Sequence, residues 1–401
     1  MGAAASAYSP ACVEARERLA GSSVLAKLDV LYDGTGASVD PVDFAVLFPS
    51  TLAQLVFAGF AVETAEEALT TACATCECGT DAEVAEVVVN FLLAAHGGAV
   101  SSEALLREAL RSAGVSAEPP HLLELSKLGE LKPGEEHESF RAWASASPAL
   151  LLELRSALTS RPRVSVLLSP RDAPSSCLLT PALAWWLRPH LSKAGGSDWT
   201  FLFSSAAHGR SFRTLSGRIT GRGAVLILMR DSKGRLAAGA SDVSLTKRAA
   251  FAGGPGCRVA QLSPGPPRCY APSGNNTNFA WFAEGFESVP NGLGFGGQVG
   301  HHAIFLDAGM ESGHSRFSAT YANPALLGDG DGAGRFQLDV VEAWSLDAGA
   351  LAEWEEAAER ARKRAASGSV LDTHANDRAF INLAVGDGGR AHASDGYREG
   401  E

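Results

Sequence analysis

The first thing this chain lacks is a stretch apolar enough to span a bilayer. A membrane-crossing helix needs about 18 to 20 consecutive apolar residues. The longest apolar run here, Phe44 to Phe60, is broken by Pro49, Ser50, Thr51 and Gln54. No apolar signal segment opens the chain either, so the seven cysteines, an odd number, read as reduced thiols in a cytosolic setting. The sequon Asn275-Asn276-Thr277 is then expected to stay unmodified. Basic residues are also short: 34 Lys and Arg against 45 Asp and Glu leave a formal net charge of -11. Nucleic-acid binding rests on a basic surface that neutralises phosphates, so no nucleic-acid partner is expected.

The patterns that carry nucleotide or hydrolytic chemistry are missing as well. There is no Gly-x-x-x-x-Gly-Lys-Ser/Thr loop, no strand-following Gly-x-Gly-x-x-Gly and no Gly-x-Ser-x-Gly elbow. His208, Ser211 and several aspartates can be assembled on paper into a triad, but residues this common define nothing by themselves. Cys73-x-x-Cys76-x-Cys78 has zinc-like spacing without a second cluster, unless the fold delivers His96. His301 and His302 are adjacent, so on a strand they face opposite ways and do not chelate one ion together with His314. Asp329-Gly330-Asp331-Gly332 fails as a calcium loop, because either glycine at the sixth position puts Ala325 or Leu327 first. The reading is therefore of a non-enzyme, with no catalytic residue, cofactor or metal. The enzyme alternative is thiol-dependent redox chemistry at Cys257 or Cys269, which adjoin Arg258 and Arg268. It requires an exposed thiolate of lowered pKa.

What is present begins at the first residues. Met1-Gly2-Ala3-Ala4-Ala5-Ser6 fits the N-myristoylation pattern, with Gly2 exposed once Met1 is removed. One myristoyl chain gives only marginal binding, on the order of 10⁴ M⁻¹. A second contact is needed for stable residence, either a further lipid at Cys12 or a protein partner in the membrane. Residues 1–9 are thus read as a lipidated segment.

Residues 10–160 carry helical periodicity, with apolar residues at three- and four-residue spacing through 65–73, 82–95, 102–112 and 147–158. Two segments look alike: Gly36 to Asp40 before Phe44, and Gly98 to Ser102 before Leu105 and Leu106. That is the outline of an EF-hand pair. The calcium ligands are missing, since Tyr32 would stand first in one loop and Leu93 to Gly97 offers the other no carboxylate. Residues 161–176 shift to Arg, Pro and Ser and read as a linker.

Residues 177–347 have the texture of short strands and turns. Strands are expected at 199–204, 224–229 with 235–240 as a hairpin, 258–262, 278–282, 303–306, 316–320 and 336–344, with loops at 263–273 and 328–334. The glycine-dense run 292–297 reads as a tight structural corner. Residues 348–401 hold a helix, 350–366, and a tail. Glu353, Glu355, Glu356 and Glu359 precede Arg360, Arg362, Lys363 and Arg364, an order that suits the helix dipole. Its apolar stripe is thin (Leu351, Trp354, Ala358, Ala361), so Trp354, Arg360, Arg362 and Arg364 are the candidate partner contacts. The fold class is α+β: an all-α EF-hand-like N-terminal half, a β-sandwich flanked by helices, then a C-terminal helix.

The same residues carry a family likeness. Trp199 to Ser204, then His208-Gly209-Arg210-Ser211-Phe212 with Leu215, then the strand to Met229 with Asp231 and Gly234, resemble the opening of a TLDc domain. Gly274 with Asn275 to Phe279, including Asn278, resembles the next signature. The cluster with Gly294, Gly296 and Gly297, then Gly313-His314-Ser315, then Thr320-x-x-Asn323-Pro324 with Leu326 and Leu327, and Val341-Glu342-x-Trp344 resemble the others in order. The whole layout resembles the lysosomal, TOR-associated subgroup of the family, although the stretch between helical half and TLDc segment is shorter here.

That resemblance implies a partner and no reaction: the peripheral sector of the vacuolar proton-pumping ATPase, with TOR complex components as further partners and a link to oxidative-stress resistance. It places the chain on the cytoplasmic face of the lysosomal or vacuolar membrane through its myristate, and in the cytoplasm, as a monomer. The family offers no catalytic residues to carry over.

Overall fold

Apolar spacing in the first 160 residues sets up a packed layer of helices. A computed structural model of the chain describes residues 9–32, 41–57, 66–96, 102–115, 124–129, 135–159, 167–169, 177–191, 198–328 and 334–367. The helices are α1 (Pro10–Arg18), α2 (Ser23–Tyr32), α3 (Pro41–Leu47), α4 (Thr51–Phe57), α5 (Glu66–Cys78), α6 (Asp81–His96), α7 (Ser102–Ser112), α8 (Glu136–Ala146) and α9 (Pro148–Leu158). Local chemistry sets their ends. Thr80 and Glu83 form a capping box before α6: the Glu83 amide donates to Thr80 Oγ1 at 3.3 Å and the Thr80 amide to Glu83 Oε2 at 2.6 Å. At the other end of α5, the buried Arg155 of α9 donates to the carbonyls of Cys76 (2.9 Å) and Gly79 (2.7 Å), where the helix dipole favours a cation. The two loops that resemble an EF-hand pair, 33–40 and 97–101, lie outside the described residues.

Twelve strands follow among the described residues: β1 (Leu167–Ser169), β2 (Asp198–Ser204), β3 (Val225–Asp231), β4 (Leu236–Ser241), β5 (Phe251–Ala252), β6 (Arg258–Ser263), β7 (Arg268–Tyr270), β8 (Ala280–Ala283), β9 (Gly292–Phe295), β10 (Ile304–Asp307), β11 (Ser312–His314) and β12 (Arg335–Ser345). Strand β12 joins two layers. Its first three residues pair with β11, and the rest runs between β3 and β2, past a register shift near Leu338 and Val340. One layer is β1-β2-β12-β3-β4-β6-β7 and the other β5-β8-β9-β10-β11-β12. They face each other closely: a Cβ on Gly239 of β4 would run into the Phe295 ring of β9. This is the expected sandwich.

The outer face of the first layer is covered by helix. On β3, Leu226 and Leu228 join a core that continues through Trp185 and Trp186 of α10 (Pro181–Leu191) into Leu150, Leu154 and Leu158 of α9. Val225, Ile227 and Met229 alternate to the other side. The Trp185 indole donates to the buried carboxylate of Glu153 at 3.4 Å. Helical half and sandwich therefore share one hydrophobic core.

Four sequence expectations change: the run 292–297, expected as a tight corner, is strand β9 through Phe295 and turns only at Gly296 and Gly297. The expected linker 161–176 contains β1, which extends β2 in parallel. The expected strand 316–320 is a turn, because Asn323 Nδ2 takes the carbonyl of Arg316 and Ser318 bridges back to Asn323. The expected loop 263–273 contains β7. Two short helices, α11 (Ser205–His208) and α12 (Phe212–Ile219), flank β2, and α13 (Ala348–Ser367) follows β12. The chain from Gly349 on forms a second unit, described by itself. No helix among the described residues is long and apolar enough to cross a membrane.

Candidate functional site

The signature residues converge on backbone. His208 ends α11; its Nδ1 accepts from the Ser204 amide at 3.1 Å, and its ring stacks on Phe201 and Phe203 of β2. Gly209 takes φ +78° to close that turn. Ser211 caps α12 through the Thr214 amide (3.2 Å), and Phe212 is buried against Phe282. His208 and Ser211 thus serve a turn and a cap.

At the glycine corner, Asn278 Nδ2 donates to the Gly297 carbonyl at 2.8 Å, and Thr320 Oγ1 receives the Gly297 amide while donating to Asn276 Oδ1, both at 2.8 Å. A Cβ on Gly297 would collide with the His301 carbonyl, at φ +80°. Close approach likewise fixes Gly294 under Phe305, Gly296 under Tyr321 and Gly313 over the Phe305 carbonyl, and Gly274 turns at φ +86°. Asn323 is buried and its amide donates to the Pro324 carbonyl at 2.7 Å. Ser315 links Ala303 to Leu326, donating at 2.6 Å and accepting at 2.7 Å. Ser315 and Thr320, both quoted in the signatures, are fully buried hydroxyl residues, and only the structure shows that they act as backbone supports.

Glu342, on β12, is a separate buried carboxylate among the signature residues. It is fully buried, and its Oε2 accepts from the Leu178 amide at 2.8 Å, the Leu179 amide at 3.4 Å and the Trp344 indole at 3.5 Å. Burial raises its pKa, opposed by those donors. It holds the approach to α10, and so couples the sandwich to the helical half.

The thiol alternative loses its chemical basis. Cys257 is buried and donates to Asp242 Oδ1 at 3.1 Å, and burial pushes its pKa up to about 12. Cys269 is half-buried, and burial pushes its thiol up to about 12 as well, despite the nearby cation of Arg258. Neither is a thiolate at neutral pH. Cys12, the open candidate for a second lipid, is buried on the inner face of α1. Cys73 and Cys76 are buried in α5, and Cys78 is exposed on the same helix. Among the described residues no three His, Cys, Asp or Glu side chains gather as a metal would require.

The histidines are aromatic neighbours. His302 is fully buried, its ring 4.6 Å from Phe305 and 5.6 Å from His314, and neither ring nitrogen has a partner among the described residues. Desolvation lowers its pKa to about 3 and that of His314 to about 4.

A family model for the TLDc domain matches residues 173–347. These residues are a TLDc domain. The TLDc domain thus includes the His208 turn, the glycine corner and Glu342. The chain is similar to the MTOR-associated protein MEAK7 of Danio rerio, 31% identical over 306 residues, covering 72% of this chain and 64% of that protein. The same-named mouse protein is 30% identical over 217 residues, 53% of this chain and 44% of that one. The chain therefore spans less than two thirds of either relative. The zebrafish match is longer than the TLDc domain, so it takes in flanking sequence as well. The Oxidation resistance protein 1 of Eremothecium gossypii is 27% identical over 182 residues, 42% of this chain and 73% of that protein.

Beyond the TLDc domain, α13 buries Leu351 and half-buries Trp354, and its second half is exposed, including Arg360, Arg362 and Arg364. Lys363 pairs with Glu359 one turn back at 2.7 Å. Gly2 and residues 368–401 lie outside the described residues.

Proposed function

We propose that this chain is a non-catalytic, TOR-associated TLDc regulator that acts by binding. A Gly2 myristate would hold it on the cytoplasmic face of the lysosomal or vacuolar membrane, and the peripheral sector of the vacuolar proton-pumping ATPase would be its protein contact. The observation that carries this reading is similarity to proteins named for mTOR association that extends past the TLDc domain into its flanks. The use of the signature side chains as backbone supports favours recognition over catalysis. The exposed cations of Arg360, Arg362 and Arg364 on α13 supply a surface for an acidic partner, with Trp354 at the half-buried end. Two weak anchors, lipid and protein, raise each other's effective concentration and give residence that neither provides alone.

The test is fractionation of cells carrying the chain or its Gly2→Ala form, with co-isolation of TOR components and pump subunits. The wild type is expected in the lysosomal or vacuolar membrane fraction with those partners, and the Gly2→Ala form largely in the soluble fraction. Equal membrane residence of both forms would remove the lipid anchor from the account.

A further inference from the structure

Two turns at one end of the TLDc sandwich present apolar side chains to solvent. Past β9 the chain turns through a bridge between Gln298 and His301, with Gly300 at φ +80°, and Val299 stands at its tip, 48% exposed. Past β11, Phe317 is 68% exposed on the turn that replaces the expected strand. The Arg316 guanidinium lies 2.7 Å from His301 Nδ1, tying one turn to the other. Arg316 is half-buried, and Arg335, opposite His314 in the ladder, places an exposed cation at the same end.

Neither tip is a frayed end. The Arg316 amide donates to the Ala303 carbonyl at 3.2 Å, and Ser315, Thr320 and Asn323 fix the surrounding backbone through buried hydrogen bonds. The neighbouring loop is held there too, with the Ser273 amide on the Thr320 carbonyl at 2.7 Å and Asn275 Nδ2 on the Ala319 carbonyl at 3.3 Å.

The described segments at this end are poor in acidic residues. In a chain with 45 Asp and Glu, residues 270–283, 296–303 and 315–327 contain none. The next carboxylates along the chain, Asp329 and Asp331, lie outside the described residues.

We propose that this end of the sandwich is a contact for an anionic lipid surface. Phe317 and Val299 enter the boundary between headgroups and acyl chains, and Arg316 and Arg335 lie against the lipid phosphates. Protruding apolar tips find a bilayer accommodating at any point, whereas a protein partner would need recesses matched to both. A leaflet of anionic lipids attracts basic side chains within about a Debye length, and the described segments that carry Phe317, Val299 and Arg316 hold no carboxylate of their own. The contact needs no acyl group. It goes beyond the Gly2 anchor and would supply, within the TLDc domain, the second hold that a single myristate requires.

The experiment uses the full chain carrying Gly2→Ala, so that no lipid is attached. It is sedimented with extruded vesicles of phosphatidylcholine containing one part in three phosphatidylserine, at millimolar lipid. The expected result is salt-sensitive pelleting with these vesicles and little with phosphatidylcholine alone. Phe317→Ser with Val299→Ser lowers the partition coefficient roughly tenfold, and Arg316→Gln with Arg335→Gln about fivefold per cation. Melting temperature is read on each variant, and the exposed Phe317→Ser form is expected to keep that of its parent. Absence of pelleting at millimolar lipid, or undiminished pelleting of the Phe317 and Val299 variant, overturns the proposal and leaves the tips to a protein partner.

Discussion

At the scale of single residues, space separates two glycines with nearly the same φ. Gly209 and Gly297 sit at φ +78° and +80°, but a Cβ on Gly209 meets nothing within 4 Å and one on Gly297 meets the His301 carbonyl. Gly209→Ala should cost about 1 kcal/mol from strain alone, and Gly297→Ala about 3 kcal/mol or more. Urea denaturation of both forms checks this, and equal costs would mean that the corner yields. His302 and His314 give a pH dependence of definite sign. Their folded pKa values, about 3 and about 4, lie below the ordinary value of 6.5. The unfolded chain therefore binds more protons as pH falls below about 6.5, and stability drops by up to about 1.4 kcal/mol per pH unit for each histidine. Glu342, raised by burial, works in the opposite sense at lower pH. Between pH 7 and 5 the urea midpoint should fall, and His302→Leu should flatten that slope whatever it does to the midpoint itself. Glycine density marked the turn at Gly296 and Gly297 but hid strand β9, whose Gly292 and Gly294 serve close approach of Phe305 and the β10 backbone. The fate of Cys257 and Cys269 could not be read in the sequence, because burial belongs to the assembled fold while the adjoining arginines belong to the chain.

At the scale of elements, α10 decides whether the molecule has one core or two. Trp186 is fully buried between α9 and the first layer, and Glu342 holds the turn that leads into α10. Trp186→Ala should cost about 3 to 5 kcal/mol and destabilise helices and sandwich together. Calorimetry should show helical half and sandwich unfolding in one transition, before and after substitution. Two separate transitions would contradict the shared core. Helix periodicity made α5, α6, α7 and α9 legible within a few residues, an apolar run closed by a turn did the same for the hairpin of β3 and β4, and β12 lies where a strand is expected at 336–344. The misses have a common cause: β1 is three residues in a parallel pair and β7 three at an edge, too short for a pattern. The turn at 316–320 is set by the side chains of Ser318 and Asn323 and not by apolar alternation.

At the scale of the molecule, the account joins a TLDc domain fused to a helical half, a lipidation pattern at Gly2 and a charged helix, α13, into a tethered regulator. Its central claim is recognition of the proton pump without chemistry. The measurement that tests it most directly is a titration of the purified soluble, ATP-hydrolysing sector of that pump with the full chain, following sedimentation and rate of hydrolysis together. The account predicts saturable co-sedimentation at micromolar protein with a changed rate, both weakened by Trp354→Ala at an unchanged melting temperature. Absence of binding at micromolar protein would contradict it.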